Sequence, residues 1–256
     1  MLKTRIIPTL LYKDAGLVKG RGFASDRPVG SALQSIRVYN LREVDELVFL
    51  DVAATREGRG PDLRLIDELA DHCFMPLAVG GGVRSVADFR DLLSVGADKV
   101  VVNSAAIADP DLINQAAAAY GSQCVVVAID VRGTVGDGWT VFGHSGQRAT
   151  SMEPVSWARE VERRGAGEII ITSIERDGTM SGYDLDLVAA VSAAVNIPVI
   201  ASGGAGSYAD LLSGVRAGAS AVAAAAMYHF TQQTPREAKL FLRQHDVPVR
   251  LATASL

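Results

Sequence analysis

The sequence predicts a (β/α)8 barrel, a closed ring of eight parallel strands each followed by a helix, on three observations. Short apolar runs alternate with amphipathic stretches, the runs number eight, and the two halves of the chain resemble each other. The runs are RIIPTLL, ELVFLD, PLAVG, KVVVN, CVVVAID, EIIITS, PVIAS and AVAAA. Each has a continuous apolar centre without polar alternation, as parallel strands do when both faces are covered. Between them, DLRLIDELADH, SVADFRDLLSVG, DPDLINQAAAAYG, PVSWAREVERRG, DLDLVAAVSAAV and SYADLLSGVRAG carry apolar residues at helical spacing. Ser85, Asp109 and Ser207 are placed to cap helix starts, and Gly96, Gly165 and Gly218 to end helices. One segment, WTVFGHSGQRATSM, breaks the rhythm and reads as a hairpin inserted at about 138–150, over the barrel mouth.

An offset of 122 residues pairs Gly81, Gly82, Ser85, Ala87, Asp88, Gly96 and Ala97 with Gly203, Gly204, Ser207, Ala209, Asp210, Gly218 and Ala219. The expected organisation is therefore one domain over 1–256, duplicated from halves at about 1–122 and 123–256. An open doubly wound sheet is the alternative.

A barrel of this kind routinely fills 256 residues, and 48% apolar with 21% charged residues describes a chain that folds around a core. The net charge of -4 disfavours nonspecific nucleic-acid binding. The apolar runs are too short to span a bilayer, and the charged start lacks a signal-peptide pattern, so a cytoplasmic location is expected. Cys73 and Cys124 are far apart and read as buried thiols, while His72, His144, His229 and His245 are scattered without metal-ligand spacing. No metal and no cofactor is expected.

Barrels of this class carry their sites where strands run into the following loops. That rule selects Leu11, Asp51, Gly80 to Gly82, Asn103, Asp130, Thr172 with Ser173, Ser202 to Gly204, and Ala225 with Ala226. Bare amides at a glycine turn and a helix start attract phosphate, so Gly80 to Gly82 with Asn103 and Ser104 form one candidate cradle. Ser202, Gly203, Gly204, Ala225 and Ala226 repeat the device in the second half, which points to a ligand with a phosphate at each end. Asp130 should face the mouth, where a carboxylate can move protons, or else cap a helix or join a salt bridge. Asp177 and Gly178 could hold a ligand hydroxyl or phosphate, and Asp51 is a further carboxylate or a loop orienter. At the opposite end, Arg5, Glu46, Lys99 and Glu168 stand at strand starts, and if they project inward they form a ring of alternating sign that pairs its own charges.

In order along the chain, DELVFLD, VGGG, GADKV, NSAA, GSQCVVVAID, RRGAGEI, TSIERDGTMSGYD and IASGGAG make it resemble the HisF family, the cyclase subunits of imidazole glycerol phosphate synthase, over nearly its whole length. The resemblance implies a HisH-like glutaminase partner on the N-terminal face of the barrel. Ammonia from that partner crosses Arg5, Glu46, Lys99 and Glu168 as a gate and rises to a ligand held by two phosphate sites. It also implies that Asp98 touches the partner and that Lys19 lies on the first loop, which closes over the ligand. Gly82, Asn103 and Ser104 would hold one phosphate, and Asp177, Gly178, Gly204, Ala225 and Ala226 would surround the other.

Two departures stand out. The family's cyclases use two carboxylates, one from each half, and Leu11 occupies the place of the first, leaving Asp130 alone. Ala226 stands where the family often has a serine. RIIPTLLYKDAGLVKG and DHCFMPLAVGGG resemble a branch of HisF relatives from surface-polysaccharide pathways. In that branch ammonia serves acetamidino modification of a sugar activated by a separate amidating enzyme. The expectation is accordingly an ammonia-delivering synthase subunit for acetamidino sugars. The alternatives are the histidine-pathway cyclase, a lyase, and a non-catalytic activator of a glutaminase.

Overall fold

A computed structural model describes residues 3–23 and 27–251, so the first two residues of the charged start lie outside it. The barrel strands are β1 (Arg5–Lys13), β2 (Leu47–Asp51), β3 (Leu77–Gly80), β4 (Lys99–Val102), β5 (Val125–Thr134), β6 (Glu168–Ser173), β7 (Val199–Ser202) and β8 (Ala221–Ala224). Each pairs in parallel with the next, and β8 returns to β1 with Arg5 opposite Ala221 and Pro8 opposite Ala224. The sheet is closed, and it is a (β/α)8 barrel.

Helices cover the outside: α1 (Ala32–Leu41), α2 (Leu63–Ala70), α3 (Val86–Ser94), α4 (Ser104–Ala108), α5 (Asp111–Tyr120), α6 (Pro154–Arg163), α7 (Leu185–Ser192), α8 (Tyr208–Arg216), α9 (Ala226–Phe230) and α10 (Pro235–Gln244). The duplication is visible in atomic detail. Ser85 and Ser207 cap α3 and α8 with the same reciprocal box, closed by Asp88 and Asp210. The backbone entering α4 at Asn103 and α9 at Ala225 has nearly the same twist, with φ -127° and -125°. Asp109 contributes one residue earlier than a simple N-cap: Pro110 opens α5, and the Asp109 side chain accepts from the Asp111 amide.

Strand alternation divides the core in two. Ile7, Val48, Ala78, Val101, Val126, Ile170, Ile200 and Ala221 point inward and pack together inside the barrel. Their neighbours, among them Ile6, Leu47, Val100, Val127, Ile169 and Val222, point outward into the larger layer beneath the helices. Two additions depart from the simple rhythm. The loop after β1 forms an antiparallel ribbon, Gly16–Lys19 with Arg27–Gly30, and the segment after β5 folds back as Gly138–Gly143 against Asp130 to Thr134. A two-residue strand, Arg148–Ala149, completes that second hairpin.

Cys73 and Cys124 are half-buried rather than buried. Cys73 stands in the connection before β3 and Cys124 ends a short 3-10 helix, Ser122–Cys124, before β5, and the Cys73 thiol donates to the Met75 carbonyl at 3.3 Å. No helix of the described residues is long and apolar enough to cross a membrane.

Ile200 is wholly buried in the inner layer, where truncation leaves a cavity that neighbouring strands cannot close. Ile200→Ala is expected to lose about 2–5 kcal/mol of unfolding free energy, measured by urea denaturation.

Candidate active site

The lower end of the barrel is closed by four side chains from four strand starts. Arg5 Nη1 lies 2.6 Å from Glu46 Oε2 and 2.9 Å from Glu168 Oε1. Lys99 Nζ lies 2.8 Å from the same Glu46 oxygen and 3.1 Å from Glu168 Oε2. Two cations thus alternate with two anions, and each charge has two opposite neighbours. The ring was an expectation conditional on inward projection, and the alternation of strand residues provides it: Glu46, Val48 and Leu50 share one face, as do Glu168, Ile170 and Thr172. Behind it, Asp45 points the other way and accepts from the Ile6 amide at 2.9 Å and from Lys239 of α10 at 2.7 Å.

Above the ring lies a cavity open to the upper face. Its deepest residues include Val48, Val101 and Ile170, one strand repeat above Glu46, Lys99 and Glu168. An apolar layer therefore separates the charged ring from the cavity's polar rim. Of the residues expected at the mouth, Leu11, Lys19, Asp51, Gly81, Gly82, Asn103, Ser104, Asp130, Thr172, Asp177, Gly178, Ser202, Gly203, Gly204, Ala225 and Ala226 line this cavity, whereas Gly80 and Ser173, also selected by the strand-end rule, are not part of its lining.

The two glycine turns meet the same constraint. Gly82 and Gly204 hold φ of +74° and +115°, and a side chain at either would strike a neighbouring carbonyl, that of Arg59 or Gly182. The Gly204 amide and the nearby starts of α4 and α9 are the parts that suit an anion, and the Gly82 amide beside them rests on the Thr55 hydroxyl at 3.3 Å.

Asp130 is held by the Asn103 side-chain amide, 3.1 Å from Oδ2, and the same amide reaches the Ala128 and Phe142 carbonyls. Asn103 thereby ties the catalytic candidate to the hairpin. Burial, and secondly the negative charge of Asp177, push the Asp130 carboxyl up to about 7, where it can both give and take a proton near neutrality. The register identifies its counterpart in the first half. Asp130 lies opposite Thr172 on β6, Leu11 lies opposite Leu50 on β2, and Leu50 and Thr172 are related by the offset of 122. Leu11 is therefore the structural twin of Asp130, and it places an alkyl group where a second carboxylate would stand.

Asp51 accepts from the Ala53 and Ala54 amides at 3.0 Å each and pairs with Arg59 at 3.1 Å, so its oxygens shape the loop after β2. Lys19 is buried, and its ammonium lies 2.6 and 2.8 Å from the Asp177 oxygens. With the Gly22 amide on the Asp177 carbonyl at 2.9 Å, this pair fastens the first loop across the mouth. Asp98, expected at the partner face, is exposed and accepts from the Leu77 amide at 2.8 Å. The lining also includes Phe23, Thr55, Arg56 and Ser145, which sit within loops rather than at strand ends and so escape the strand-end rule. Among the described residues no group of three or more His, Cys, Asp or Glu side chains could hold a metal ion.

A family model described as "Histidine biosynthesis protein" matches residues 5–234. The chain belongs to the histidine biosynthesis protein family. Two relatives in this family are each named "Imidazole glycerol phosphate synthase subunit HisF". One, from Hyphomonas neptunium, is 54% identical over 251 residues, covering 98% of this chain and 99% of the relative. The other, from Caulobacter vibrioides, is 51% identical over 253 residues, covering 98% and 97%. Neither name carries the sugar-modifying branch, so family membership favours the histidine-pathway alternative over the expectation of acetamidino chemistry.

Folding raises the Asp130 carboxyl from 3.8 to about 7, so between those values the folded chain keeps a proton that the unfolded chain has released. Stability contributed at this site therefore falls as pH rises through that window and stays lower above it. Asp130→Asn keeps an acceptor for Asn103 and removes the charge. It is expected to melt above the parent at pH 8 and close to it at pH 4, by calorimetry; a gap of the same size at both would refute the burial cost.

Proposed function

We propose that this chain is the ammonia-accepting synthase subunit of a glutamine amidotransferase of the HisF kind, and that it serves as the cyclase-type subunit of imidazole glycerol phosphate synthase. The supporting observation is the stacking, within one barrel, of a self-neutralised charged ring, an apolar layer and a cavity with two matching anion cradles around Asp130. The names of relatives at 54% and 51% identity over nearly the whole chain point the same way.

In this reading Gly82, Asn103 and Ser104 hold one phosphate of the ligand. Asp177, Gly178, Gly203, Gly204, Ala225 and Ala226 hold the other, with Thr172 and Ser202 beside it. Lys19 closes the first loop over both, and Asp51 fixes the loop behind the first cradle. Asp130 moves protons during ammonia addition and ring closure, a role that its pKa of about 7 suits. Ammonia enters from a HisH-like glutaminase on the lower face through Arg5, Glu46, Lys99 and Glu168. That face carries unusual apolar exposure: Phe74 and Leu41 are each 85% exposed, and Asn40 joins their segments by bonding the His72 carbonyl and the Phe74 amide.

Leu11 favours a second reading, in which the barrel delivers ammonia without ring closure, to an acetamidino sugar activated by a separate amidating enzyme. Leucine can neither donate nor accept a proton, so the twin of Asp130 is silent. Expression in a bacterial histidine auxotroph lacking its own synthase subunit, together with the cognate glutaminase, separates the two. Growth without histidine is expected under the first reading, and failure to grow despite a folded complex would refute it. Glutaminase stimulation with no barrel product would instead identify a non-catalytic activator.

If the missing carboxylate limits ring closure, Leu11→Asp is expected to raise that rate by about 10²- to 10⁴-fold, measured by product formation at saturating ligand. An unchanged rate would show that the limit lies elsewhere. Phe74→Lys is expected to weaken glutaminase binding by about tenfold or more, by calorimetric titration, with the melting temperature unmoved; unchanged affinity would place the docking surface elsewhere.

A further inference from the structure

The side-chain charges lining the cavity do not balance in the way the paired ring below does. Its acids are Asp51, Asp130 and Asp177, and its cations are Lys19 and Arg56. Lys19 is spent on Asp177, at 2.6 Å, and Asp51 on Arg59, at 3.1 Å. Arg56 is exposed and has no hydrogen-bond or ion-pair partner among the described residues. It is the cation of the lining that remains available to a ligand.

Its backbone position is fixed relative to one cradle. The turn that carries Arg56 is closed on itself by the Glu57 amide on Ala53, at 3.0 Å, and the Arg59 amide on Ala54, at 2.9 Å. On one side of Arg56, the Thr55 hydroxyl accepts from the Gly82 amide at 3.3 Å. On the other, the Arg59 carbonyl and Gly60 lie so close to Gly82 that no side chain fits there. Arg56 thus projects from the apex of a turn whose two legs both rest on Gly82. At the second cradle position 178, at the same offset of 122, is Gly178, and the arginine beside Gly204, Arg176, donates its guanidinium to the Gly182 carbonyl at 3.4 Å and does not line the cavity.

We propose that Arg56 is a further ligand-binding residue, which supplies a guanidinium to a phosphate monoester seated at Gly82, Asn103 and Ser104 and makes that cradle the stronger of the two. The proposal rests on the two-cradle reading above. A guanidinium presents paired N–H donors matched to two phosphate oxygens, and near a partly desolvated cavity it adds charge-assisted bonds that amides alone lack. The two cradles, alike in backbone, then differ in side-chain charge and give a ligand with two phosphates a preferred direction.

The test is a titration of the full chain with inorganic phosphate and with glycerol 3-phosphate, followed by amide NMR at Gly82 and Gly204 separately. In the parent, Gly82 is expected to respond at lower concentration than Gly204. Arg56→Gln should weaken the Gly82 response by about five- to tenfold and leave Gly204 unmoved, with Arg56→Lys between the two, because lysine keeps the charge and loses the fork. The parent's advantage at Gly82 should also shrink with added salt, as for an exposed cation. An unchanged Gly82 response in Arg56→Gln overturns the proposal and leaves the cradles standing, and equal weakening at both glycines overturns it in favour of a diffuse charge effect. Phosphate that shifts neither glycine in the parent sinks the cradle reading and the proposal together.

Discussion

The pairing of β8 with β1 is the constraint on which the rest of the molecule depends. Once the sheet closes, every strand residue faces either the barrel axis or the helices, and the choice alternates along the chain. Arg5, Glu46, Lys99 and Glu168 then meet at one level, Ile7, Val48, Val101 and Ile170 at the next, and Leu11, Leu50, Asp130 and Thr172 near the top. A slip of one residue in any strand would exchange a charged inward group for an outward aliphatic one, so the hydrophobic pattern and the site geometry enforce the same register.

Much of this architecture was legible in the residues. The eight apolar runs locate the eight strands because parallel strands buried on both faces need unbroken apolar sequence, and the Ser-x-x-Asp caps at Ser85 and Ser207 fixed two helix starts. The first-loop ribbon was not legible. Gly16–Lys19 and Arg27–Gly30 are short, contain glycine and proline, and are held by pairing with β1 rather than by their own propensity. The inserted hairpin was seen as a self-contained unit at about 138–150, whereas its main partner is the extension of β5 beyond the barrel. Half-exposure of Cys73 and Cys124 also escaped the sequence, since a small apolar side chain in a turn reads the same whether or not a neighbour covers it.

At the site, residue types located the mouth but not its electrostatics. The glycines, Asn103 and Asp130 could be placed because strands end in view of the cavity. What raises Asp130 is burial against a neighbouring charge 47 positions away, at Asp177, and no local pattern encodes that. The partners of Lys19, Asp45 and Asp51 were likewise settled only by tertiary packing. Leu11 is the opposite case. Its significance was plain from the sequence, and the strand register adds the geometric reason, since Leu11 and Asp130 occupy matching places in the two halves.

The buried bond between Lys239 and Asp45 joins two segments that are synthesised far apart, and the Asp45 carboxylate also holds the amide next to Arg5. The first strand keeps an unpaired edge until the eighth pairs with it, and the Asp45 carboxylate lacks its cation until α10 docks. Closing the sheet and seating α10 are thus coupled at the lower rim, where one carboxylate both holds the strand that carries Arg5 and anchors the covering helix.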